Sequence, residues 1–406
     1  MTERTVVLLD HGPGAVPLSR DLRKRGLRVM CVSKSPRDAI EADVYLPSSE
    51  DIDGLASEVR NAAGDSELIG VYTLAENSKF RQLHLSRALG LPADRPETVL
   101  GGRDKRTMRG LLQQSGLANH DWYFVPDSDV TEAARLPYPL VCKPNMGFAS
   151  GGVRVVRNDS EYARAVAGIR RLNLHLLRAR SPVETGTIVE EFLSGPEYSL
   201  DAITWNGATR LFATCGKKYP EGNTLIDYAY WSPAVPELAE AFGQVARRCA
   251  QALRYEFGPS HTEVRWDDRR KCWQVLETAL RVGFGGHIGS MIRATTGVDY
   301  NGLALLSALR QPAAADDFHQ PGDSRGLGVV FSPEIRGRGK FRGIKGIDAI
   351  RRNPRVHSVD ILPEVGQWIS VDSFDYALIL VAVLESPAEL DTFLAEISEQ
   401  AEVEFL

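Results

Sequence analysis

At 406 residues, with 43% apolar and 25% charged residues, the chain exceeds one ordinary hydrophobic core and suits roughly two to four packed subdomains. Forty-eight basic against fifty-three acidic residues give a formal charge of -5, which argues against a general nucleic-acid or membrane-surface binder, because such partners call for net positive potential. Any anion site must therefore be local. The five cysteines, Cys31, Cys142, Cys215, Cys249 and Cys272, are scattered and lack a Cys-x-x-Cys pair, so neither a disulfide framework nor a zinc site is expected and a reducing cytoplasm fits. The apolar runs 6–9 and 377–384 are too short for an export signal or a membrane helix.

In chain order, residues 5–9 read as a buried strand, 16–24 as a helix, 27–32 as a strand, 52–62 as a helix, 68–74 as a strand and 77–89 as a helix. This alternation predicts a parallel α/β sheet with crossover helices. His11-Gly12-Pro13-Gly14 lacks the G-x-G-x-x-G spacing and reads as a tight turn able to wall a substrate pocket. A turn-rich link, 90–102, leads to a helix opened by Asp104-Lys105 and ending near Gln114. Strands at 137–142, 151–156, 187–192, 198–205 and 211–216, with a helix at 159–170, form a small α+β unit that looks like a lid. A helix at 237–253 precedes an antiparallel pair, 260–266 and 273–278, around Asp267-Asp268, and a helix at 288–295 follows. Beyond Pro312 the chain is β-rich, with turns at Gly322, Gly337 and Asn353, a strand at 377–384 and a helix at 387–399.

Four stretches carry chemistry. Lys143-Pro144 begins a small-residue loop running through Ser150, Gly151 and Gly152 to Val153, where glycine amides, a hydroxyl and a lysine charge can grip phosphate oxygens. It lacks the Walker ending, and a plain hairpin turn also explains it. Glu190, Glu191, Phe192 and Leu193 end a strand that can offer main-chain groups to an adenine edge, with Glu197 able to accept ribose hydroxyls; a solvated strand edge is the alternative. Glu263 and Glu277 lie on neighbouring strands and share a face if the register suits, giving hard oxygen ligands for magnesium. Arg281, four residues past Glu277 and just before the flexible Gly283 to Gly286 segment, can clamp a developing oxyanion or form a structural salt bridge. His261 shares the face of Glu263, and Lys217-Lys218 can reach phosphate or a substrate carboxylate or form a solvated turn. The arginine-glycine segment 336–343 superficially matches an RNA-binding pattern, but its brevity favours a hairpin.

The order of these parts resembles the ATP-grasp superfamily, specifically its carboxylate-amine ligases of the L-amino acid (dipeptide) ligase type, over nearly the whole chain. The resemblance implies an α/β and α+β multidomain ATP-grasp fold: an N-terminal Rossmann-like domain at 1–102, an ATP-grasp domain at 103–312 with a lid at about 120–195, and a β-rich part at 313–406. It implies that Lys105 and Lys143 hold α- and β-phosphates, that Ser150 to Val153 closes over the γ-phosphate, that Glu190 to Leu193 is the adenine hinge with Glu197 on the ribose, and that Glu263 and Glu277 bind magnesium. Arg281 would steady an acyl phosphate, with Lys217, His261, Gly285 and Gly286 toward substrate. ATP, one or two Mg2+ ions (Mn2+ as a substitute), and small-molecule carboxylate and amine substrates follow, with a homodimer compatible and neither nucleic acid nor membrane as partner. Ala279 stands where many members carry a metal-binding asparagine, which puts a second metal in question.

Two rivals remain at this stage. A bicarbonate-activating enzyme similar to biotin carboxylase would carry glutamine and glutamate after its arginine, whereas Val282-Gly283-Phe284-Gly285 offers neither. A nucleotide-binding scaffold without turnover has no need of both glutamates and Arg281 together.

Overall fold

The computed structural model describes all residues except 1, 11–13, 35–39, 130–132, 149, 178–180, 220–226, 313–317, 319–324 and 371–375. The expected turn at His11 to Pro13, Ala149 in the glycine loop and the turn at Gly322 lie outside the described residues.

Four parallel strands open the chain: β1 (Arg4–Leu9), β2 (Leu27–Ser33), β3 (Val44–Pro47) and β4 (Glu67–Tyr72), in the order β3-β2-β1-β4. Val6 to Leu9 are buried on both faces of β1, as a parallel sheet covered by helices requires. Helix Ile52–Ala63 buries Leu55, Ala56, Val59 and Ala63 against one face, and Asp51 caps it by accepting from the Gly54 amide at 3.1 Å. The other face packs on helix Tyr300–Ala308, contributed by residues far downstream, so this sheet and the rest of the chain share one core. The turn-rich reading of 90–102 gives way to helix Pro96–Arg103; proline suits its first turn, and Gly101 and Gly102 pack closely on Leu253 and Leu280.

A second sheet holds β5 (Trp122–Pro126), β6 (Leu140–Pro144), β7 (Arg154–Val156) and β8 (Gly186–Glu191) in the order β5-β8-β6-β7, all antiparallel, backed by helix Asp159–Leu172. The glycine loop is the β6–β7 hairpin connection.

The remaining strands are β9 (Glu197–Trp205), β10 (Ala208–Lys218), β11 (Ala229–Ser232), β12 (Gly258–Asp267), β13 (Cys272–Ala279), β14 (Leu327–Phe331), β15 (Arg338–Lys345), β16 (Val356–Ile361), β17 (Trp368–Ser370), β18 (Leu378–Leu384) and β19 (Glu402–Phe405). Eight of them form one antiparallel sheet, β13-β12-β9-β10-β11-β14-β18-β16. The strands read as part of a lid at 198–205 and 211–216 therefore belong to this central sheet, and the β-rich tail extends it through β14, β18 and β16. The hairpin expected at 336–343 does not form: β15 instead pairs with the distant strands β17 and β19 in a small sheet, β17-β15-β19. Among the described residues no helix is long and apolar enough to cross a membrane.

Two contacts bind these units around the cavity. Gly14, at the start of helix Ala15–Lys24, lies so close to the Gly285 carbonyl that a Cβ would stand 1.8 Å from its oxygen. Asp104 caps helix Lys105–Gln114 by accepting from the Thr107 amide at 3.1 Å, and it also accepts from the Asn145 amide group at 2.8 Å beside the glycine loop. Asp104→Ala removes the cap and strands a buried donor; we expect a loss of about 2 kcal/mol in chemical denaturation, while Asp104→Asn retains most of the stability.

Candidate functional site

A cavity of about 430 Å³ runs between the three sheets, a size suited to nucleotide-scale ligands. At one end Val141, Val155, Phe192, Leu193 and Leu276 form an apolar slot between β6, β7, β8 and β13. Lys105, Lys143, Gly147, Ser150, Gly151 and Val153 line the adjoining stretch, followed by Glu263, Glu277, Arg281, Lys217 and His261.

Register decides the central feature. β12 and β13 pair antiparallel with Glu263 directly opposite Glu277 and His261 opposite Ala279, so both glutamates share the cavity face. Thr262 and Thr278, also paired, turn to the other face and hydrogen-bond each other at 3.1 Å. Two carboxylates side by side repel, and two lysines offset this. Lys105 donates to Glu277 Oε1 at 2.9 Å and to the Gly147 carbonyl at 2.9 Å; Lys217 donates to Glu263 Oε1 at 2.5 Å and to Glu197 Oε1 at 2.8 Å. Lys217 is fully buried, which alone would lower its pKa, but Asp227, Glu197 and Glu263 outweigh burial and hold it well above the usual ammonium value.

The donor chemistry suits magnesium. Among the described residues no three His, Cys, Asp or Glu side chains converge on a closed metal cage. Two partly open carboxylates are what a hard cation shared with phosphate oxygens and water requires.

Arg281 donates from Nε to Glu76 Oε2 at 3.2 Å, and Glu76 also pairs with Arg103. Burial alone would raise the Glu76 carboxyl, but Arg103, Arg281 and Lys105 outweigh it and bring its pKa down to about 2. Glu76 was not among the residues singled out in the sequence, although it follows the carboxyl end of β4, where open parallel sheets place ligand crevices. Arg281 is thus both a cavity residue and one arm of a buried ion bridge to the N-terminal sheet. His261 Nδ1 lies 3.1 Å from Asp201, another partner absent from the sequence reading, and its Nε2 is 3.9 Å from Glu263.

Several anticipated residues take up positions other than the simplest reading of them. The Glu190 carboxylate, 2% exposed, meets Arg109 at 2.7 Å, His120 at 2.8 Å and Lys143, so it anchors cations beneath the slot. Arg109 also donates to the Val275 and Leu276 carbonyls, tying β8 to β13. The amides of Glu191 and Phe192 donate to the Asp121 and Pro139 carbonyls, which leaves recognition of a base edge to the other main-chain groups of this segment. Glu191 itself pairs with Arg269 and Arg270. Glu197 is engaged by Lys217 and Arg265, and these two cations overcome burial to bring its pKa to about 2. Gly285 lines the cavity, whereas Gly152 and Gly286 supply the turns behind it. Lys218 points away, toward Asp391.

The folded pKa of Glu76 lies below the ordinary value of 4.5, so its stabilisation is present above about pH 4.5 and is lost as pH falls toward 2. We expect Glu76→Gln to be less stable by about 3 kcal/mol at pH 7 and to show a shallower loss of melting temperature between pH 5 and 3 than the parent chain.

Residues 136–289 match the ATP-grasp domain family. The chain is 25% identical over 360 residues to the uncharacterized protein y4rH of Sinorhizobium fredii, covering 87% of this chain and 71% of that protein. It is 25% identical over 278 residues to a biotin carboxylase of Halalkalibacterium halodurans, covering 62% of this chain and 59% of that enzyme. The structure is similar to the crystal structure of an L-amino acid ligase from Bacillus licheniformis, with a TM-score of 0.87, 23% identity and full coverage of both chains.

Proposed function

We propose that this chain, whose residues 136–289 match the ATP-grasp domain family, is an ADP-forming ligase that activates a carboxylic acid, an amino acid in the simplest case, as an acyl phosphate and joins it to an amine. The observation that carries the reading is the convergence of the paired Glu263 and Glu277, Lys105 and Arg281 on one cavity beside an apolar slot. A scaffold that merely held nucleotide has no use for the arginine and both carboxylates together.

In this reading the apolar slot takes the adenine, Glu197 faces the ribose, and Lys105 and Lys143 turn toward the phosphates with the Ser150 to Val153 loop above them. Magnesium bound by Glu263 and Glu277 would neutralise phosphate charge and align the phosphoryl group, supplying electrostatic stabilisation for an in-line transfer. Substrate carboxylate oxygen forms a new P–O bond to the γ-phosphorus as the bridging bond breaks and ADP leaves. The amine nitrogen then attacks the acyl carbon; the C–O bond to phosphate breaks, inorganic phosphate departs and the nitrogen gives up a proton. Arg281 holds the charge that builds on the transferring phosphoryl and on the tetrahedral oxygen, and its bond to Glu76 fixes the guanidinium in place. Ala279, 2% exposed and opposite His261, adds no ligand, so any second ion rests on Glu277, phosphate and water.

The test is ADP release with ATP, magnesium and pairs of amino acids, with the amide identified by mass. Glu277→Ala and Arg281→Ala are each expected to lower amide formation by about 100- to 1,000-fold, in keeping with loss of a transition-state electrostatic partner. Parent-like turnover in both variants, or nucleotide binding with no turnover across a broad panel, defeats the reading.

A further inference from the structure

Past Arg281, at the end of the cavity away from the apolar slot, three aromatic side chains from separate segments meet. Tyr230 comes from β11, Phe284 from the turn after β13, and Tyr376 from just before β18. The Phe284 ring centroid lies 5.1 Å from that of Tyr230 and 5.1 Å from that of Tyr376, both within the range of favourable aromatic contact. Leu74 and Ile379 extend this apolar surface along the cavity.

Independent features mark this wall as built. Both phenol hydroxyls are spent on one residue: Tyr230 donates to Asp227 Oδ2 at 2.6 Å and Tyr376 to the Asp227 carbonyl at 3.3 Å. What the two tyrosines then offer a ligand is ring carbon. Phe284 is held at φ 44° and ψ 50°, a left-handed conformation that a bulky L-residue adopts only where its surroundings enforce it. Its carbonyl is engaged by His287 Nδ1 at 2.9 Å, and His287 is fixed in turn by Asp360 at 3.0 Å. The Lys217 ammonium already sits 5.7 Å from the Tyr230 centroid and is itself held by Glu197, Asp227 and Glu263.

On the reading that this site ligates an acid to an amine, we propose that Tyr230, Phe284 and Tyr376 form a specificity wall for a substrate bearing a planar apolar side chain, an aromatic amino acid or close arylalkyl analogue. The reacting groups of that substrate lie toward Arg281, Lys217 and His261, and its ring lies on the wall. Acidic and cationic side chains are disfavoured there, because they would lose hydration against ring carbon while Lys217 and the carboxylates of Glu197, Asp227 and Glu263 already satisfy one another.

The experiment is ADP release and product mass for all pairings of phenylalanine, tyrosine, tryptophan, leucine, alanine, serine, aspartate and lysine, with the parent chain, Phe284→Ala and Tyr376→Ala. Pairs containing an aromatic member are expected to exceed the same pairs with aspartate or lysine by about tenfold or more in kcat/KM. Phe284→Ala should cut kcat/KM for the aromatic member about tenfold more than for alanine in the same place. Best turnover with acidic or cationic members, or an equal loss across the panel in both variants, overturns the wall and leaves the ligase reading standing. If no pair turns over, the ligase reading fails, and melting temperature with magnesium and ADP decides the wall. A rise with phenylalanine that aspartate does not give and Phe284→Ala abolishes supports it; equal shifts overturn it.

Discussion

The pairing of Glu263 with Glu277 across β12 and β13 is the constraint around which the cavity is organised. Like charges opposite each other on a sheet are destabilising, and a one-residue slip of β13 against β12 would carry Glu277 to the threonine face. The arrangement persists because Lys105 and Lys217 reach the pair from the helix after Asp104 and from β10. Each lysine also holds a second element: Lys105 the glycine loop through Gly147, Lys217 the start of β9 through Glu197. Neutralising one repulsion thus fixes the relative positions of the β6–β7 hairpin, the central sheet and the helix Lys105–Gln114.

A second consequence concerns the N-terminal sheet. Glu76 receives Arg281 from the segment after β13 and Arg103 from helix Pro96–Arg103, with all three largely out of water. Buried charges are tolerated when each finds a geometrically good opposite, and removing one member leaves the rest exposed to the full desolvation cost. The guanidinium nearest the reacting centre is therefore oriented by a carboxylate from another sheet. Close approach of Gly14 to Gly285 closes the same boundary a few residues on.

How much of this was legible in the sequence depends on chain distance. The β6–β7 loop, the β12–β13 pair and the helix start at Asp104 are each built within one hairpin or one helical turn and were legible in the spacing, while the register of the pair and the Asp104 cap came from the structure. Partners drawn from distant segments were invisible: Glu76 lies 205 positions from Arg281, Asp201 lies 60 from His261, and Arg109 lies 81 from Glu190. Periodicity also misassigned residues 96–103, where two glycines suggested a turn but serve close packing against Leu253 and Leu280. The central sheet was hidden for a related reason. Its neighbours β11, β14 and β18 come from well-separated parts of the chain, and an alternating pattern states that a strand exists without stating which strand it joins.

The balance of charge in the cavity explains why two carboxylates should stand where a polyphosphate is to lie. Lys105 and Lys143, the cations nearest the glycine loop, are already engaged by Glu277 and Glu190. An entering triphosphate would compete for those lysines; drawing Lys105 away would leave Glu277 without that counter-ion, whereas Glu190 would keep Arg109. A divalent cation held by Glu263 and Glu277 would satisfy those carboxylates and leave Lys105 free to face phosphate. On the proposed reading such an exchange would make tight nucleotide binding depend on the metal, because Lys105 alone would not serve both Glu277 and phosphate.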